Sequence, residues 1–159
     1  LAGALALGVA AMISGCTNDP DALAPVPGEA FSWLEVGPSV GFMSALTIDA
    51  SGRIFAGTTS RGLFRSDDGG DTWAGVGPLY CGVSALAIDA SGRIFAGIYE
   101  SGVFRSDDGG DTWTQANDGL ANTRVRSIAA VGSRIFAGTA GGVFRSENGG
   151  DTWASANEA

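Results

Sequence analysis

The sequence has no histidine, no lysine and only two cysteines among its 159 residues. Without histidine it can build neither a Ser-His-Asp nor a Cys-His catalytic group, and the commonest zinc ligand is missing. All nine basic residues are arginine, and seventeen acids leave a net charge of −8. That balance argues against a partner bound through its phosphate backbone, so no nucleic acid is expected. Helical periodicity is absent as well. No run of ten residues repeats at 3.6, because glycine returns every few positions. Glycine itself is abundant, at 26 residues, and it separates short apolar runs. This spacing points to short strands joined by tight turns.

The N-terminal stretch "LAGALALGVAAMISGC" is small, apolar and closed by a cysteine. It is too short to span a bilayer comfortably as a helix and reads as the apolar part of an export signal. No initiating Met and no basic segment precede it, so the N-terminus is expected to be cut short. Ile13-Ser14-Gly15-Cys16 resembles a bacterial lipobox. The resemblance implies a signal peptide over 1–16, lipid attachment at Cys16, and export to the cell envelope with the lipid as the only membrane contact. Residues 17–30, "TNDPDALAPVPGEA", are rich in proline and acids and predict an extended linker. With Cys16 acylated, Cys81 has no partner and is expected as a free thiol.

The rest of the chain repeats. "RSDDGGDTW" runs from Arg65 to Trp73, returns from Arg105 to Trp113, and recurs as "RSENGGDTW" from Arg145 to Trp153. Trp33, Trp73, Trp113 and Trp153 are 40 residues apart. Aligned on them, the units run 41–80, 81–120 and 121–159, and each reads as four strands, a to d. In the second unit strand a is Ser84 to Ile88, b is Arg93 to Gly97, c is "GVFRS", and d starts at Thr112-Trp113. The third unit has one more residue between a and b and one fewer between b and c. Both changes fall at expected turns, where insertions are tolerated. A unit of about 40 residues with four strands matches a blade of a β-propeller. A solenoid of hairpins is the competing architecture.

The eight residues Ser66 to Trp73 resemble the Asp-box, or BNR repeat, of sialidase-type β-propellers. Ser66, Asp68, Gly70, Thr72 and Trp73 match its pattern, as do Ser106, Asp108, Gly110, Thr112 and Trp113. Ser146, Gly150, Thr152 and Trp153 match too, but Asn148 stands where the pattern has Asp. The resemblance covers about residues 31–159 and implies an all-β propeller of four-stranded antiparallel blades. It fixes no activity, because such boxes occur in sialidases, xyloglucanase-type hydrolases, sorting-receptor ectodomains and photosystem assembly propellers. The residue chemistry suits a structural turn: Asp68 can accept its own turn's N–H groups, glycines allow positive φ, and tryptophan can pack between sheets. Calcium binding through Asp67, Asp68 and Asp71 is the rival reading, but the spacing is not that of an EF-hand loop. No metal and no cofactor are expected.

The resembling sialidases use three arginines, a Tyr–Glu pair and an acidic Asp. Here Arg53, Arg93 and Arg134 open strand b, and Arg65, Arg105 and Arg145 end strand c. Arginines that recur in every unit serve the unit. The family's Phe-Arg-Ile-Pro motif is absent, and Tyr99 and Glu100, if on a strand, would point to opposite faces. No catalytic residue is therefore assigned. The a-to-b turns and the acidic turns are near copies and share one end of the sheets. The opposite end varies, with "TTSR", "IYES" and "TAG" between b and c, and "GVGPLYCG" and "ANDGLANTR" between d and a. Variation among copied units marks a binding face. Its candidates are Thr59, Arg61, Tyr80, Tyr99, Glu100, Asn117, Asp118, Asn122 and Arg124, which suit a protein or glycan ligand. Glu100 and Asp118 make the only carboxylate pair there for glycoside hydrolysis.

Residues 31–37, "FSWLEVG", align with strand d, giving four d strands but three sets of a, b and c. The expectation is three blades plus one extra strand, open and truncated, with further blades of the same polypeptide beyond Ala159. The expected role is a noncatalytic binding or assembly platform. A glycoside hydrolase completed outside this stretch is the alternative.

Overall fold

The computed structural model describes residues 42–77 and 81–157. The signal peptide with Cys16, the linker, the extra strand at 31–37 and Tyr80 lie outside the described residues. Every regular element among those described is a strand. The first sheet holds β1 (Met43–Ile48), β2 (Ile54–Thr58), β3 (Leu63–Ser66) and β4 (Ala74–Val76). The second holds β5 (Val83–Ile88), β6 (Ile94–Ile98), β7 (Gly102–Ser106) and β8 (Thr114–Gln115). The third holds β9 (Val125–Val131), β10 (Arg134–Thr139), β11 (Gly142–Ser146) and β12 (Ala154–Ser155). Each sheet is a four-stranded antiparallel meander whose spatial order is its chain order.

The strands form where β-branched and aromatic residues run between turn residues. The turns are where the residue pattern demands them. Gly52 and Gly92 close the a-to-b turns at φ 88° and 84°, in the left-handed region that glycine adopts without penalty. In the third unit the extra residue expected between a and b is not in that turn: five residues separate the paired Ile88 and Ile94, but four separate Ala130 and Ile135, where Val131 and Arg134 also pair across Gly132 and Ser133, and the added length falls in the loop before β9. The last strand starts later than expected, at Thr114 instead of Thr112-Trp113. Asp108 accepts hydrogen bonds from both the N–H and the hydroxyl of Thr112, which keeps that residue in the turn.

The hydrophobic core lies between sheets rather than within one. Phe55, Leu63, Val83, Ile94, Ile98 and Trp113 fill the space between the first and second sheets. Their counterparts Phe95, Val103, Val125, Ile135 and Trp153, joined by Phe144, fill the space between the second and third. Alternation explains this: along β6, Ile94 and Ala96 face one neighbour, while Phe95 faces the other. The innermost strands approach closely because β2 and β6 carry glycine at the crossing. A Cβ on Gly57 would sit 2.6 Å from Val83 Cγ1, and one on Gly97 would sit 2.6 Å from Val125 Cγ1. Ser44 and Ser84 occupy bulges there and donate to the carbonyls of Val83 and Val125 in the next sheet. Arg126 takes the corresponding place in the third sheet.

Candidate binding face and the acidic turns

The acidic turns are self-satisfied hydrogen-bond knots. In the first, the Ser66 hydroxyl donates to Asp68 Oδ1 at 2.8 Å and accepts the Gly70 N–H at 2.8 Å. Thr72 donates its N–H to Asp68 Oδ1 at 2.9 Å and its hydroxyl to Oδ2 at 2.5 Å. Ser106, Asp108, Gly110 and Thr112 repeat the same bonds. Donation from the Thr72 and Thr112 hydroxyls, with their N–H groups and the serine hydroxyls, holds both Asp carboxyls down at about 2. In the third turn Asn148 Oδ1 still accepts from Ser146 and from the Thr152 N–H. Its amide nitrogen donates to the Thr152 hydroxyl at 3.0 Å, so that one bond reverses direction. A neutral amide thus does the carboxylate's work.

The three tryptophans are not equivalent. Trp73 and Trp113 donate their indole N–H to Gly70 and Gly110 in their own turns, at 2.9 and 3.0 Å. Trp153 donates instead to the Ala116 carbonyl of the preceding sheet at 2.8 Å. The turns also grip their neighbours. Arg65 Nη1 donates to the Gly109 carbonyl at 3.0 Å and to Asp111 at 2.6 Å, both in the second turn. Arg105 reaches Gly149 and Asp151 of the third turn at 3.0 and 2.5 Å. The Asp111 and Asp151 bonds raise the two guanidinium pKa values, against the opposing effect of burial. The carboxylates of one turn therefore go to separate partners. Asp107 pairs with Arg105, Asp108 bonds Ser106 and Thr112, and Asp111 pairs with Arg65.

A second bracket escaped the sequence reading, although "DASGR" stands twice, at 49–53 and 89–93. Asp49 accepts from the N–H and hydroxyl of Ser51 and from the N–H and Nε of Arg53. Burial pushes its carboxyl up, but these bonds together outweigh burial and hold it at about 2. Asp89 and Arg93 repeat the arrangement with the carboxylate fully buried. The bracket aims each arginine at the next acidic turn, where Gly109 and Gly149 leave room for it. In the third unit, which has no such Asp, Arg134 pairs with Glu147 at 2.8 Å.

The opposite end of the sheets carries the variable loops. Tyr99 and Glu100 lie in the turn after β6 rather than on a strand, and Glu100 adopts a φ of 64°. Tyr99 is half exposed, and Glu100 Oε1 pairs with Arg124 Nη2 at 3.1 Å. That pair joins the second sheet to the loop entering the third. Arg61 and Thr59 are exposed on the corresponding turn of the first sheet. Two asparagines of this face brace backbone. Asn117 accepts from the Val103 N–H at 2.8 Å and donates to the Ser101 carbonyl at 2.9 Å. Asn157 holds Val143 and Gly141 in the same way, so this role repeats between units. Asn122 accepts from the Arg124 N–H and packs against Gly141. Asp118 is exposed, and its backbone carbonyl receives the Trp153 N–H. Cys81, at the start of the loop leading into β5, is an exposed free thiol.

No protein-family model matches the sequence, and no curated protein matches it significantly. Solved structures do resemble it in three dimensions. An ancestral GH74 enzyme superposes with a TM-score of 0.60 at 23% identity, covering 73% of this chain and 18% of its own. The GH74 xyloglucanase from Xanthomonas campestris gives 0.58 at 20% identity, covering 74% of this chain and 24% of its own. YCF48 bound to a D1 peptide gives 0.61 at 19% identity, covering 75% of this chain and 42% of its own. The chain thus spans less than half the length of each of these proteins. Likeness at such identities carries the fold alone: the three meander sheets are consecutive blades of an all-β, four-stranded-blade propeller.

Proposed function

We propose that the chain is a noncatalytic binding or assembly platform built from Asp-box blades, exported and lipid-anchored through Cys16 at the bacterial cell envelope. One observation carries the reading. The copied end of the blades uses its acids and arginines on itself and its neighbours, while the varied end presents side chains to solvent. The ligand class that suits Tyr99, Glu100 and Arg124 is a peptide or a glycan, since an aromatic face and a charged pair recognise both. The likeness to YCF48, seen bound to a peptide, supports the peptide. The likeness to GH74 enzymes favours a second reading, a fragment of a glycoside hydrolase. Against it, Glu100 is neutralised by Arg124 at 3.1 Å instead of facing a second carboxylate.

The test is made on the full-length protein, with peptide and glycan arrays beside turnover assays on xyloglucan and sialosides. Tyr99→Ala and Arg124→Ala are each expected to weaken the array hit about tenfold or more while leaving the melting temperature unchanged. Turnover that Glu100→Gln abolishes would replace this reading with the hydrolase. The anchor is checked separately: Cys16→Ala is expected to move the protein out of the membrane fraction.

A further inference from the structure

The third unit departs from the first two at two places that the fold brings together. Asn148 stands where they have Asp68 and Asp108, and Gly132-Ser133 closes a hairpin where they have "DASG". The Gly149 N–H donates to the Ser133 carbonyl at 3.2 Å, whereas Gly69 and Gly109 make no such backbone bond among the described residues. Asn148-Gly149 is also the one Asn-Gly dipeptide in the sequence. Such a pair is chemically labile, because glycine leaves its backbone nitrogen unshielded beside the carboxamide.

Glycine is obligatory at 149. Its φ is 70°, and a Cβ there would collide with the guanidinium of Arg93. Both groups that could react are instead tied down. Asn148 Oδ1 accepts from the Ser146 hydroxyl at 2.9 Å and from the Thr152 N–H at 3.0 Å, and Nδ2 donates to the Thr152 hydroxyl at 3.0 Å. Gly149 is held at its nitrogen by Ser133 and at its carbonyl by the arginine latch from the second sheet, Arg105 Nη1 at 3.0 Å. Water reaches the side chain all the same. Asn148 is exposed, and so is Asp108, which has a described sheet on either side.

We propose that Asn148 is a deamidation site that the closed turn protects, so that its conversion records opening of the joint between the second and third sheets. When the turn opens, the Gly149 nitrogen gives its proton to solvent and attacks Asn148 Cγ. A C–N bond forms, the bond to Nδ2 breaks, and Nδ2 takes up a proton and leaves as ammonia. Water then opens the cyclic imide at either carbonyl. One product is aspartate, which the turn can hold as it holds Asp68 and Asp108. The other is isoaspartate. It carries an extra main-chain carbon and a displaced carboxylate, so the bonds to Ser146 and Thr152 cannot re-form.

The experiment ages the full 159-residue chain in mildly alkaline buffer, native and in guanidinium chloride. Mass spectrometry of the peptide carrying Asn148 reads the mass gained as a carboxamide becomes a carboxylate, and fragmentation separates aspartate from isoaspartate. Conversion follows the open fraction, so it is expected to be about tenfold or more slower in the native chain. Arg105→Gln frees the Gly149 carbonyl, and Thr152→Val removes the acceptor of Nδ2. Each should speed native conversion about threefold or more, where circular dichroism shows the variant folded, and leave the denatured rate unchanged. Equal rates in the native and denatured chain overturn the proposal. So do native rates indifferent to both variants, or a denatured chain in which Asn148 lasts as long as Asn117, Asn122 and Asn157.

Discussion

Asp68 and Asp108 show how little the acidity of the repeated turn has to do with binding. Each carboxylate is surrounded by donors from within nine residues of chain, and Asn148 fills the same position without charge. Both carboxyls titrate lower in the folded chain than in the unfolded one. The stabilisation they give is therefore complete above the unfolded value of 3.8 and is lost as the pH falls through about 2. Asp49 and Asp89, also depressed, act in the same direction. Melting followed by circular dichroism from pH 5 to pH 2 should show the loss. Replacing Asp68 and Asp108 together by Asn should flatten part of that slope, with little change at neutral pH. Asp108→Ala, which removes the acceptor altogether, should lower the melting temperature at every pH.

At the level of strands and turns, the decisive contacts are those that cross between sheets. Gly97 is the sharpest case, since its backbone is ordinary strand and only the approach of Val125 requires glycine there. Gly97→Ala should destabilise by about 1–3 kcal/mol through overpacking, measurable by urea denaturation. Gly132→Ala, with open space around it, should cost less and only through its φ of 61°. The sheets were legible in the sequence because glycine turns and alternating apolar residues are local signals. Strand c of the second blade, 102–106, is located to the residue by its pattern. Strand d was misplaced because Thr112 and Trp113 have strand-like chemistry, and only the Asp108 bonds hold them in the turn. The candidate face was legible as a set of unlike loops but not residue by residue. Asn117 and Asn157 resemble ligand-binding amides in composition, and nothing short of their backbone partners distinguishes a brace from a contact.

For the described blades taken together, the distribution of core matters more than its size. The second sheet is packed on both faces, and the first and third sheets are each packed on one by it. Stability in such arrays is a sum of units and nearest-neighbour interfaces, so it is highest in the middle. Native-state hydrogen exchange should find the amides of β6 about tenfold or more slower than those of β2 or β10. Equal protection across the three would mean that the outer faces are covered in solution.

The arginine latch has one more consequence. Because every joint takes its donor from one unit and its acceptor from the next, residues 81–120 form a part that carries a plug at one side and a socket at the other. A second copy spliced after Leu120 would meet its neighbours through the same Arg-to-Asp grip and the same Val-on-Gly crossing, with no new kind of contact to invent. Blade number in such a chain is then open to change by duplication, in whole steps, while the unlike loops on the far end diverge freely.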